Sequence, residues 1–137
     1  MKAQRLRSKN QEGASAVEFA ILAPLFVVLL FGLLEFGLAI YSKGVVTNAS
    51  REGARFGVVY TTPRKTTTQI ATKVQEYLTK SGFTDTVTVN VTGSGGASGN
   101  PLSVAVTYPY DFQVLPNFVC SLAGQVNITS NTVMLME

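Results

Sequence analysis

The chain has 137 residues, of which 46% are hydrophobic and 14% charged, with a formal net charge of +3, one cysteine and no histidine. The lone Cys120 excludes an intramolecular disulfide and a cysteine metal cluster, and the lack of histidine removes the commonest general base and metal ligand. The positive excess belongs to Lys2, Arg5, Arg7 and Lys9, with the two signs balanced from Ala14 onward, so a basic nucleic-acid-binding surface is not expected.

Residues 1–13 form a polar, basic leader. A helix is predicted to begin near Ala14 and to run through "VEFAILAPLFVVLLFGLLEFGLAIY". From Phe19 to Leu34 no residue is charged. At about 1.5 Å per residue such a helix can cross a hydrocarbon core of roughly 30 Å. The span is placed over residues 14–41, with Tyr41 and Lys43 at the outer interface. Basic charge ahead of it predicts a cytoplasmic N-terminus and an extracytoplasmic C-terminal part, the arrangement of a single-pass inner-membrane protein. Pro24 removes one helical amide bond, so a local kink is expected there. A secretory signal released after Ala39 is the competing reading, but its apolar region would be unusually long.

Residues 42–60 continue the helix beyond the membrane. Within them Ala49, Gly53 and Gly57 recur every four residues, a small-xxx-small ridge that lets another helix approach closely. The alternative is that these glycines mark loops. Residues 61–137 form the outer domain, opened by "TTPRKTTTQ". A second helix is predicted over Thr67 to Lys80, with Ile70, Val74, Tyr77 and Leu78 on one face and Gly82 as its stop. "TVTVNVT" and "PLSVAVTYPY" alternate with period two and predict strands. Between them, "GSGGASGN" lacks the lysine and setting of a phosphate loop. One or two further strands are expected over Gln125 to Thr129 and Thr132 to Met136. Val126 and Ile128 differ in parity from Val133 and Leu135, so a turn or bulge is expected near Ser130-Asn131. The fold class is α+β: a long membrane-spanning helix extending outward, and a second amphipathic helix packed on a small antiparallel sheet.

No nucleophile–base pair can be assembled without histidine unless Lys or a carboxylate serves, and Asp85 and Asp111 stand isolated near strand ends. No enzyme activity and no cofactor are expected. Three asparagines (Asn48, Asn90 and Asn127) sit in glycosylation-type triplets, a motif too short to carry weight.

Two acids remain, Glu18 at the mouth of the apolar run and Glu35 inside it, and ionisable groups in such a segment are expensive and functional. "EGASAVEF" holds a glycine, four residues, then glutamate and an aromatic, directly after a basic leader. This resembles the processing site of type IV pilin-like proteins of the tight-adherence branch, in which a prepilin peptidase cuts after the glycine. Together with Glu35 and "VTNASREGARFG", it is similar to the signature region of the TadE-like family, minor pilins or pseudopilins of the Tad (Flp) pilus. The resemblance implies a pilin-like fold, cleavage between Gly13 and Ala14 with Glu18 and Phe19 in the recognition motif, and a role in pilus assembly, adherence and secretion. The partners it implies are the peptidase, other pilins, the Tad assembly platform and the lipid membrane.

Physically, cleavage would leave the Ala14 ammonium about one turn from Glu18, and pairing between subunits would remove both charges from the apolar phase. The competing reading of Ser15-x-x-Glu18 is a capping box. Glu35 has two readings as well, hydration at the interface or docking on another pilin or the assembly machinery. The alternative for the whole chain is a single-pass envelope interaction protein without a pilus role.

Overall fold

A computed structural model describes residues 2–84, 87–114, 124 and 126–137, with side chains from Gly13 onward. Asp85 and Cys120 lie outside the described residues. Helix α1 spans Lys2–Val58 and α2 Thr67–Lys80; strands β1 (Thr88–Thr92), β2 (Pro101–Tyr110) and β3 (Val126–Leu135) follow. They form a three-stranded antiparallel sheet in the order β1-β2-β3. The outer half of α1 and the buried face of α2 cover one side of this sheet. The architecture is α+β and pilin-like.

Helix α1 starts well before Ala14, where the sequence had placed its beginning. The leader is rich in Lys, Arg and Gln, all good helix formers, and holds no Gly or Pro before Gly13, so nothing in it stops a helix. Pro24 lies inside α1, which runs unbroken through it. Helix α2 begins at a capping box: the Thr66 hydroxyl accepts from the Gln69 amide, and the Gln69 side-chain oxygen accepts from the Thr66 amide. It ends at Gly82, whose φ of +86° reverses the chain so that the Phe83 amide reaches the Leu78 carbonyl.

Strand β2 buries Leu102, Val104, Val106, Tyr108 and Tyr110 on one face. They meet Val46, Ala49, Ala54 and Val58 of α1 and Ile70, Val74 and Leu78 of α2 in one core. Full burial of an aliphatic side chain stabilises by about 1.5–3 kcal/mol, so this cluster fixes α1 against the sheet. Phe83 packs edge-on to Tyr108 at 5.0 Å between ring centroids.

The expected turn or bulge near Ser130-Asn131 is absent. Strand β3 is continuous, and its register with β2 runs without a slip from Tyr110↔Val126 to Pro101↔Leu135. The inward set is Ile128, Ser130, Thr132, Met134 and, just past the strand, Met136, whereas Val133 and Leu135 face outward and are exposed. The parity change in the sequence arose because two hydroxyl residues hold core positions. They face Ser50 of α1, which is fully buried: its Oγ lies 2.7 Å from Thr132 Oγ1 and 3.2 Å from Ser130 Oγ, and donates to the Thr47 carbonyl at 2.9 Å. A buried polar group needs such partners, and this trio supplies its own.

Candidate functional site

Helix α1 divides at Glu35. On the N-terminal side it stands bare, with Phe19 72%, Leu25 66% and Leu33 65% exposed. Among the described residues, the segment Gly13–Val58 is a helix long and apolar enough to cross a membrane. Gly13, Ala14, Glu18 and Phe19 all lie exposed on the bare part, and a Cβ placed on Gly13 would meet nothing within 4 Å. Because α1 begins at Lys2, Ser15 and Glu18 are interior helical residues. The capping-box reading therefore fails for the untrimmed chain, since no helix terminus is present for Ser15 to cap.

From Glu35 onward a stripe of α1 turns inward: Glu35, Ser42, Val46, Ala49 and Ser50, Gly53 and Ala54, Gly57 and Val58 are buried. This three-to-four spacing is one face of a helix. Glu35 itself is only 3% exposed. Its Oε1 accepts from the Tyr110 hydroxyl at 2.5 Å and the Gln113 amide at 3.0 Å, and its Oε2 accepts from the Val114 amide at 2.7 Å. Two successive backbone amides and a phenol thus enclose the carboxylate with short hydrogen bonds. Burial, followed by the hydrogen bond and charge of Glu35, pushes the Tyr110 phenol well above its usual range.

This enclosure corrects both readings of Glu35. It is neither hydrated at an interface nor open for docking, because the outer domain of its own chain occupies it. Release after Ala39 would separate the domain from Glu35, which argues against the secreted form. The partners could not be read from sequence, since they lie 75 or more residues away. The available signal was the parity of β2, which carries Tyr110 onto the same inward face as Val104 and Val106.

The Ala49–Gly53–Gly57 ridge is also filled from within. A Cβ on Gly57 would lie 2.5 Å from Leu102 Cδ2 and 2.7 Å from Ile70 Cδ1, and one on Gly53 would collide with Val74 Cγ2. The glycines admit α2 and β2 of this chain, so the helix that approaches the ridge is α2. At the outer edge the Lys43 ammonium donates to the Thr129 carbonyl of β3. Glu18 and Glu35 are seventeen residues apart, which at roughly 100° per residue sets them about 100° apart around α1. Glu18 therefore lies to the side of the face that carries the domain.

No curated protein and no solved structure matches the chain. Residues 13–55 match the family model described as TadE-like protein, a match that opens at Gly13 and takes in the bare apolar stretch, Glu35 and the ridge as far as Gly53. The exposed glycine–glutamate junction, the long apolar helix and the family match converge on one statement: the chain carries a TadE-like family domain at residues 13–55.

Proposed function

We propose that the protein is a minor pilin or pseudopilin of a Tad-type pilus, inserted in the inner membrane, trimmed by a prepilin peptidase after Gly13, and used in pilus assembly, adherence and secretion. The observation that carries this reading is the division of α1, one half bare and apolar with the junction motif at its start, the other half built into a folded domain. The basic leader favours a cytoplasmic N-terminus, which puts the domain on the extracytoplasmic side. Its mechanism is binding. The bare half packs with lipid and with the helices of other pilins and the assembly platform, while the domain presents a surface. Trimming creates the Ala14 ammonium, and four residues at about 1.5 Å each separate it from Glu18. Pairing of Glu18 with a neighbour's new terminus neutralises both charges and sets the axial register of the two subunits.

The test is the N-terminus of the membrane-extracted protein, read by intact mass and sequencing. A start at Ala14 is expected, and Gly13→Val retains the leader by keeping the scissile bond out of the peptidase site. A wild-type protein that begins at Met1, or a Gly13→Val variant trimmed normally, overturns the reading.

A further inference from the structure

We propose that residues 111–114, which follow β2, form a lipid contact, with the Phe112 ring entering the outer acyl-chain boundary of the bilayer that α1 crosses. The inference rests on the reading of α1 as a membrane span. Glu35 lies 22 residues after Gly13, a rise of about 33 Å, so a helix that enters a core of roughly 30 Å at its junction brings Glu35 to the far boundary. The segment is pinned at that level by the Gln113 and Val114 amides and the Tyr110 hydroxyl on the Glu35 carboxylate. Phe112 lines a shallow groove of about 190 Å³ with Gly32, Glu35, Phe36 and Ala39, a set centred on the level of Glu35, and Gly32 at its lower end lies about 4.5 Å closer to the membrane centre than Glu35.

The chemistry of the groove selects hydrocarbon over a headgroup. The Glu35 oxygens are taken by their donors, and the other lining groups are aromatic, methyl or glycine surface. A Cβ built on Gly32 meets nothing within 4 Å, so the end of the groove nearest the membrane centre is open. Phe36, which lines the groove, is 65% exposed, and Tyr41, 59% exposed and about 9 Å beyond Glu35 along α1, is of a type enriched at membrane interfaces. After Asp111 the sequence carries no charge until Glu137.

The chain contains no tryptophan, so a single introduced indole reports its own depth. Full-length Phe112→Trp, Leu29→Trp and Tyr60→Trp are placed at low density in phosphatidylcholine–phosphatidylglycerol vesicles whose chains are brominated at shallow or deep positions. The Phe112→Trp emission is expected to be blue-shifted and quenched most by shallow bromine. Leu29→Trp is expected to be quenched most by deep bromine, and Tyr60→Trp, beyond the far end of α1, by neither. Quenching of Leu29→Trp with none at Phe112→Trp overturns the lipid contact and leaves the anchor standing. Absence of quenching at both overturns the anchor with it. In the unsubstituted protein, a lipid spin label near the top of the acyl chain should broaden the Phe112 and Gln113 amide signals and spare that of Thr88. Equal broadening at all three, or at none, overturns the contact independently of any variant.

Discussion

Replacing Glu35 by Gln preserves the side chain's shape and tests whether its charge and both acceptor oxygens hold the domain to α1. In the native site Oε1 serves Tyr110 and Gln113, and Oε2 serves Val114. A carboxamide has one acceptor oxygen, and its NH2 must face a backbone N–H at one end or the other. One buried amide is left without an acceptor, at a cost of about 1–3 kcal/mol, and the remaining bonds lose the charge assistance that makes each worth about 1.5–3 kcal/mol. The neutral side chain recovers part of this because it is less costly to bury. The net expectation is a loss of about 1–3 kcal/mol, which at about 4 °C per kcal/mol for a domain of this size lowers Tm by about 4–12 °C. Tyr110→Phe removes one donor and orphans no amide, so its loss should be smaller, about 1 kcal/mol. The assay is thermal unfolding in detergent micelles followed by near-ultraviolet dichroism, with amide hydrogen exchange of Gln113 and Val114 as the local readout. If Glu35→Gln melts with wild-type Tm and both amides stay protected, the carboxylate does not fasten the domain.

Gly57→Ala forces a methyl into atoms 2.5 and 2.7 Å away and should destabilise by about 1–3 kcal/mol. Gly44→Ala meets open space and should stabilise by about 0.5–1 kcal/mol; denaturation midpoints of the two variants should move in opposite directions. The raised Tyr110 phenol contributes stability that is fully present below about pH 10, where the unfolded phenol titrates. Above that pH the unfolded chain loses its proton first and stability falls, so Tm measured from pH 9 upward should decline less in Tyr110→Phe. Glu18→Gln should be trimmed normally yet recovered less with partner pilins on co-purification; recovery equal to wild type would remove charge pairing as its role.

Helix α2 was legible because its signals are local, a single apolar face and a closing glycine, and the structure adds the Thr66 cap at its start. The inward parity of β2 was equally plain, since every second residue is aliphatic or aromatic. Strand β3 misled because Ser130 and Thr132 are core residues whose polarity is satisfied by Ser50, a partner 80 or more residues away that no local pattern reveals. The ridge illustrates a second limit. Small residues at a spacing of four announce that something packs closely, but they do not say whether the neighbour is the same chain or another. Glu35 shows a third, since an acid in an apolar run signals a need for donors and carries no address for them. The junction at Gly13 is a contiguous motif, read from the sequence alone, and its residues lie exposed on α1.

The outer half of α1 is made early in the chain, yet every surface that completes it comes later. Val58 accepts a hydrogen bond from the amide of Glu137, Lys43 reaches Thr129 and Glu35 reaches Val114. Folding of the domain is therefore governed by contacts of long sequence separation, which form slowly because a long loop must close before any of them is made. During synthesis the apolar stripe of α1 has only α2 to cover it until β2 and β3 have also emerged. Over that interval it is a partly covered helix, and association with the wrong helix competes with folding. The closing step belongs to the last strand, so loss of even a few residues from β3 should leave α1 without a finished domain.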